Sequence, residues 1–173
     1  GEIISQARYS TTGWYPIRQV PAKVLKILQE DGVYPNLYYG KNLLSAVPQD
    51  LYKQDWWYRT TFKAPGRGKT YWLEFPGINY RAEIWLNGKR IADNHHVAGM
   101  YVATELNVTD AILPGRTNTL AVKVTPERAI QDVNGVELGD SWFDWLNGKY
   151  LGSRLPPSRN GIPTSFVSDR NAG

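Results

Sequence analysis

Several short runs within residues 56–125 place apolar side chains at every second position, the spacing of a strand with one buried face. Tyr58, Thr60 and Phe62 alternate with Trp57, Arg59, Thr61 and Lys63, and Tyr71, Leu73 and Phe75 alternate with Trp72 and Glu74. Tyr80, Ala82, Ile84 and Leu86 then alternate with Arg81, Glu83 and Trp85, ending at Asn87-Gly88, a strong short hairpin signal with Lys89–Ala92 pairing back. Two further strands follow. Val102, Thr104, Leu106 and Val108 alternate with Ala103, Glu105 and Asn107, and Leu120, Val122 and Val124 alternate with Ala121 and Lys123. Between them, residues 109–115 read as one capped helical turn. Short strands separated by turn chemistry predict an all-β, antiparallel sandwich.

The flanks carry other patterns. Pro21 suits a first helical position, Val24, Leu25, Ile27 and Leu28 form an apolar face, and Gly32 suits the residue past the end. A short helix is expected over about 21–31. Residues 33–55 are loop-like, and residues 127–173 hold isolated aromatics (Trp142, Phe143, Trp145, Tyr150, Phe166) without period. An aperiodic stretch of that length is either functional or disordered, and the aromatics favour function.

Composition narrows the class. The 173 residues suffice for one domain with a real core, and seven Trp with eleven Tyr argue against a disordered chain. With no cysteine, thiolate metal sites, disulfides and cysteine nucleophiles are excluded. No apolar run approaches a membrane span, and the start shows no signal peptide. The compartment stays open, a secreted or periplasmic one being expected. The net charge of +4 is scattered rather than striped, so neither nucleic acid nor membrane is an expected partner.

Several motifs imitate chemistry. Ala64-Pro65-Gly66-Arg67-Gly68-Lys69-Thr70 resembles a phosphate-binding loop, but Lys63 stands where its first glycine belongs, and the stretch joins two strands. His95 and His96 are adjacent, so on a strand they point to opposite faces, and no third ligand follows at zinc spacing; no metal or cofactor is expected. Asn107-Val108-Thr109 matches a glycosylation acceptor inside a predicted strand. No Gly-x-Ser-x-Gly elbow is present. Retaining hydrolysis of a glycoside needs two carboxyl groups held about 5–5.5 Å apart. Glu74, Glu83, Glu105, Asp140, Asp144 and Asp169 stand singly. The residues offer binding surface and no catalytic centre.

Two stretches resemble the sugar-binding N-terminal domain of family 2 glycoside hydrolases. One is residues 75–88, Phe-Pro-Gly-Ile-Asn-Tyr-Arg-Ala-Glu-Ile-Trp-Leu-Asn-Gly; the other is Trp56-Trp57-Tyr58-Arg59-Thr60-Thr61-Phe62. Gly99-Met100-Tyr101, Asn107-Val108-Thr109 and residues 118–124 support it, and the likeness runs in order over residues 14–173. Residues 20–25, 32–35 and 38–43 are similar to the exo-β-glucosaminidase and β-mannosidase branch. So is Asp144-Trp145 followed by Asp169-Arg170-Asn171-Ala172-Gly173, although residues 146–168 lengthen the interval and Ser168 replaces the family's proline.

The resemblance implies a galactose-binding-domain-like jelly roll within a multidomain retaining β-glycosidase. Its catalytic glutamates lie on a (β/α)₈ barrel of about 250 residues, too large to fit here, so no activity is expected alone. The implied partners are a β-linked carbohydrate and the barrel and immunoglobulin-like domains of the same polypeptide. Matched by motif, Asp144, Trp145, Asp169 and Asn171 occupy a pocket-facing loop, with Tyr39 and Asn42 near the same rim. A carboxylate takes sugar hydroxyls while an indole takes the C–H face, whereas on the structural reading Trp145 only caps the core and Asp144 a turn. Trp57 and Trp85 are read as packing or interface residues. On this reading, residues 1–173 form one domain with residues 127–173 as a long substrate-side loop. The chain stops before a final strand, leaving an edge or groove prone to self-association. A free-standing carbohydrate-binding module and a protein-interaction sandwich remain as alternatives.

Overall fold

Strict alternation along residues 81–86 becomes the centre of a sheet in the computed structural model, which describes residues 1–48, 51, 54–66, 70–99, 102–126, 130–131 and 137–139. Two compact units are present: Gly1–Trp14 with Asp55–Thr125, and a second holding Tyr15–Gln54 with the described residues beyond Thr125.

The first unit contains strands β1 (Trp56–Lys63), β2 (Trp72–Phe75), β3 (Arg81–Leu86), β4 (Lys89–Ala92), β5 (Thr104–Asn107) and β6 (Thr117–Thr125). One antiparallel sheet has the order β1-β6-β3-β4, and β2 pairs antiparallel with β5 in the other. Both feed a single apolar cluster, in which Ile84, Leu86, Val122 and Val124 from the larger sheet meet Leu106 from the smaller, with Tyr58, Phe62, Leu73 and Phe75 packed around them. Ala82, Ile84 and Leu86 are wholly buried because β3 has a strand on either side and a covered inner face. Asn87 and Gly88 have φ of 51° and 87°, the left-handed pair that a type I′ hairpin turn requires.

The turn predicted over residues 109–115 forms a single turn. Ile112 N–H donates to Val108 O at 2.9 Å, and Asn107 Oδ1 caps it by accepting from Thr109 N–H at 3.0 Å. A buried carboxamide ties this crossover to the hairpin. Asn118 Oδ1 accepts from Leu113 N–H and from Asn87 Nδ2, both at 2.7 Å, while its Nδ2 donates to Leu113 O and Arg116 O. Asn87 in turn donates to Ala111 O and accepts from Thr119 N–H.

Residues 1–6 lie against the outer face of the larger sheet. Arg59 reaches Ile4 O at 2.9 Å and Gln6 O at 3.0 Å, and the buried Ser5 hydroxyl accepts from Gly88 N–H at 2.9 Å. Ala121, on the outward side of β6, is therefore as buried as the core positions. Lys123, directly across from Glu83, bonds Asp55 at 2.7 Å, and that hydrogen bond raises its pKa above the ordinary lysine value.

Some expected boundaries moved. Val102 is 53% exposed and lies outside β5, which begins at Thr104: the alternation ran past the paired residues, and pairing rather than pattern ends a strand. In the second unit, helix α1 spans Val24–Glu30 rather than 21–31 because Lys23 is still extended (φ −97°, ψ 139°), so Pro21 precedes the helix. Its end follows the expectation. Gly32 has φ 78°, Val33 N–H reaches Leu28 O and Gly32 N–H reaches Gln29 O, the paired bonds of a Schellman cap. A four-residue helix α2 (Asn42–Ser45) and a small sheet of β7 (Ile130–Gln131) with β8 (Glu137–Gly139) were not anticipated; elements this short show no period.

Tyr58 carries a pH prediction. Its ring packs on the core and its hydroxyl finds no partner among the described residues, and burial raises its pKa to about 12 from the ordinary 10.0. The folded state therefore favours the neutral phenol. That contribution is intact below pH 10 and is lost as pH rises towards 12, up to about 2–3 kcal/mol for two units. Tyr58→Phe is expected to flatten this alkaline loss in urea melts between pH 9 and 12 while changing neutral stability little. An unchanged alkaline slope would show that another group titrates.

Candidate functional site

The described loop of the predicted rim is closed on itself. Tyr39 N–H donates to Asn36 O at 2.9 Å, Asn42 N–H to Tyr39 O at 3.1 Å, and Asn42 Nδ2 to Asn36 O at 2.9 Å. Asn36 (φ 54°) and Gly40 (φ 58°) supply the left-handed backbone that lets so short a segment reverse. Tyr38 and Tyr39 stand out at 77% and 79% exposure. Tyr39 thus presents its ring to solvent, whereas Asn42 commits one of its two Nδ2 protons to the loop, leaving the other and Oδ1 outward. Asp144, Trp145, Asp169 and Asn171 lie outside the described residues.

In the first unit, an open cleft of about 190 Å³ is lined by Arg90, Ile91, Ala92, Asp93, His96 and Leu106. It is smaller than pockets that enclose small ligands, roughly 300–1,000 Å³. Its carboxylate is also engaged. Asp93 Oδ1 accepts from the backbone N–H groups of His96 and His95 at 3.0 and 3.1 Å, which holds its carboxyl below the usual range. Arg90 lies 5.9 Å from the Trp85 ring centroid. No group of three or more metal-ligating side chains occurs among the described residues.

Trp85 is a packing residue: its ring lies so close to Gly1 that a Cβ there would overlap it. Trp57 is partly buried, whereas Trp72 on β2 is 55% exposed, the one exposed tryptophan among the described residues. The sequence placed Trp72 opposite the core but gave it no role. What it could not supply was the register, which sets Trp72 across from Asn107 and Glu74 across from Glu105.

A two-layer antiparallel scaffold, with Tyr38 and Tyr39 exposed on the loop over residues 36–42, defines a β-sandwich domain. Its relatives make the class specific. Residues 4–152 match the family described as glycosyl hydrolase 2 galactose-binding domain-like, and the chain belongs to that family. It is 31% identical to an exo-beta-D-glucosaminidase of Streptomyces avermitilis over 91% of this chain and 16% of that protein. It is 30% identical to beta-mannosidase B of Aspergillus clavatus over 60% of this chain and 12% of that one. Among solved structures, the exo-chitosanase of Amycolatopsis orientalis superposes with a TM-score of 0.69 at 30% identity, covering 76% of this chain and 15% of that one. The chain thus spans about a sixth or less of these relatives and corresponds to the N-terminal domain of multidomain family 2 enzymes.

Proposed function

We propose that this chain serves a retaining β-glycosidase as its non-catalytic sugar-contacting domain, packing on a catalytic barrel beside immunoglobulin-like domains of the same polypeptide. The observation that carries this reading is the ordered match to 16% of a far larger glucosaminidase. A barrel of about 250 residues has room only in the remainder of such an enzyme. On this reading residues 127–173 form a substrate-side loop. Asp144, Asp169 and Asn171 take sugar hydroxyls, Trp145 stacks on the C–H face, and Tyr39 and Asn42 border the same rim. The relatives named for glucosamine match more of this chain than the one named for mannose, which favours a β-linked amino sugar as substrate.

The test uses the enzyme that carries this domain. Asp144→Ala and Trp145→Ala should each lower kcat/KM for an aryl β-glucosaminide by roughly 10- to 100-fold, the loss of one charged or stacked contact. The isolated chain should hydrolyse nothing. Unaltered kinetics in both variants would remove the loop from the pocket and with it this reading.

A further inference from the structure

The outer face of the β2–β5 sheet is polar except at one point. Leu73 and Leu106 turn into the core, and the alternate positions Trp72, Glu74, Glu105 and Asn107 turn out, all exposed. Register places them as a rectangle, Trp72 beside Asn107 and Glu74 beside Glu105. Directly opposed side chains on one face of an antiparallel pair are about 4.5–5.5 Å apart at Cβ. Two like charges so placed destabilise a sheet. No ion pair to either carboxylate forms among the described residues. Asn107 uses Oδ1 to cap Thr109, which leaves its Nδ2 donor outward.

We infer that this face is a surface site for a β-linked amino-sugar oligomer bearing protonated amines. The indole of Trp72 takes the apolar face of one pyranose. The ammonium of the next residue sits between Glu74 and Glu105 and cancels their repulsion, and Asn107 Nδ2 reaches a hydroxyl. Charge complementarity selects this occupant. A neutral or N-acetylated sugar would use Trp72 but leave the carboxylates facing each other. The chain as a whole carries +4, so long-range attraction cannot gather a polycation. Selection must come from this local pair, and binding is expected to be weak and salt-sensitive. The choice of an amino sugar rests on the proposed function, while the arrangement of the face does not.

The experiment is a titration of the 173-residue chain with a glucosamine oligomer, followed by NMR shifts and Trp fluorescence at a pH where the amines are charged. The expected affinity is around millimolar, about tenfold tighter than for the N-acetylated oligomer. Trp72→Ala should abolish binding to both. The Glu74→Gln, Glu105→Gln double variant should bring the two oligomers to equal affinity, and its fold should survive because it removes a repulsion. Equal binding of both oligomers by the parent chain, or binding indifferent to Trp72, overturns the inference. So does protection of Trp72 by a neighbouring domain in the intact enzyme. Each result is independent of the Asp144 kinetics, so either proposal can fail alone.

Discussion

Asn118→Ala is expected to destabilise the first unit by about 3–5 kcal/mol, read as a lower urea midpoint at unchanged m-value. The carboxamide is wholly buried and all its valences are used, toward Leu113 twice, Arg116 and Asn87. Removing it leaves Leu113 N–H and one Asn87 Nδ2 proton without an acceptor, while Leu113 O and Arg116 O keep their backbone donors Arg116 N–H and Ala64 N–H. Each unsatisfied group costs about 1–3 kcal/mol before relaxation, and the cavity adds to that. Asn118→Asp keeps the shape and separates hydrogen bonding from packing. Its second oxygen would face Leu113 O and Arg116 O, so burial and these dipoles raise the folded-state pKa of the new carboxyl. The penalty therefore grows as pH rises through the ordinary carboxylate range and eases in acid, where the protonated oxygen can donate again. A loss below about 1 kcal/mol for the alanine variant would mean that the crossover does not depend on this amide.

Ile84→Ala is expected to cost a similar 3–5 kcal/mol through a different cause. Ile84 is 0% exposed and has Ala92 on β4 and Val122 on β6 as register partners. Neither neighbour carries spare atoms to fill the vacated space, and β3 is held between two strands, so the cavity stays open. Ile84→Val should cost about 0.5–1.5 kcal/mol by the same logic. Trp72→Ala, on the outer face of β2, should change stability by no more than about 0.5 kcal/mol. These three variants together distinguish core from surface on strands of the two sheets, and equal losses for Ile84 and Trp72 would refute the assignment of faces.

The strands were legible because burial on one face imposes a period of two that survives in the residue order. Ala82, Ile84 and Leu86 announce β3, and Asn87-Gly88 announces its turn without any tertiary information. The helix end was legible for a comparable reason, since Gly32 meets a local backbone requirement. Val102 shows the limit: alternation marks residues fit for a strand, and only a partner decides where pairing stops. For the predicted rim, Tyr39 and Asn42 are placed and Asn42 proves half committed to its own loop, while Asp144, Trp145, Asp169 and Asn171 fall beyond the described residues.

From its residue order alone this chain determined an antiparallel sandwich, its faces, its main hairpin, and its kinship with a sugar-handling domain, because each depends on neighbours close in sequence or on motifs kept in order. Tertiary structure decided what depends on partners distant in the chain. It drew Asn118 to Asn87, laid residues 1–6 across Arg59 and Gly88, and set Glu74 against Glu105 beside an exposed Trp72. Register and burial are properties of pairs, and no single position in a sequence records them.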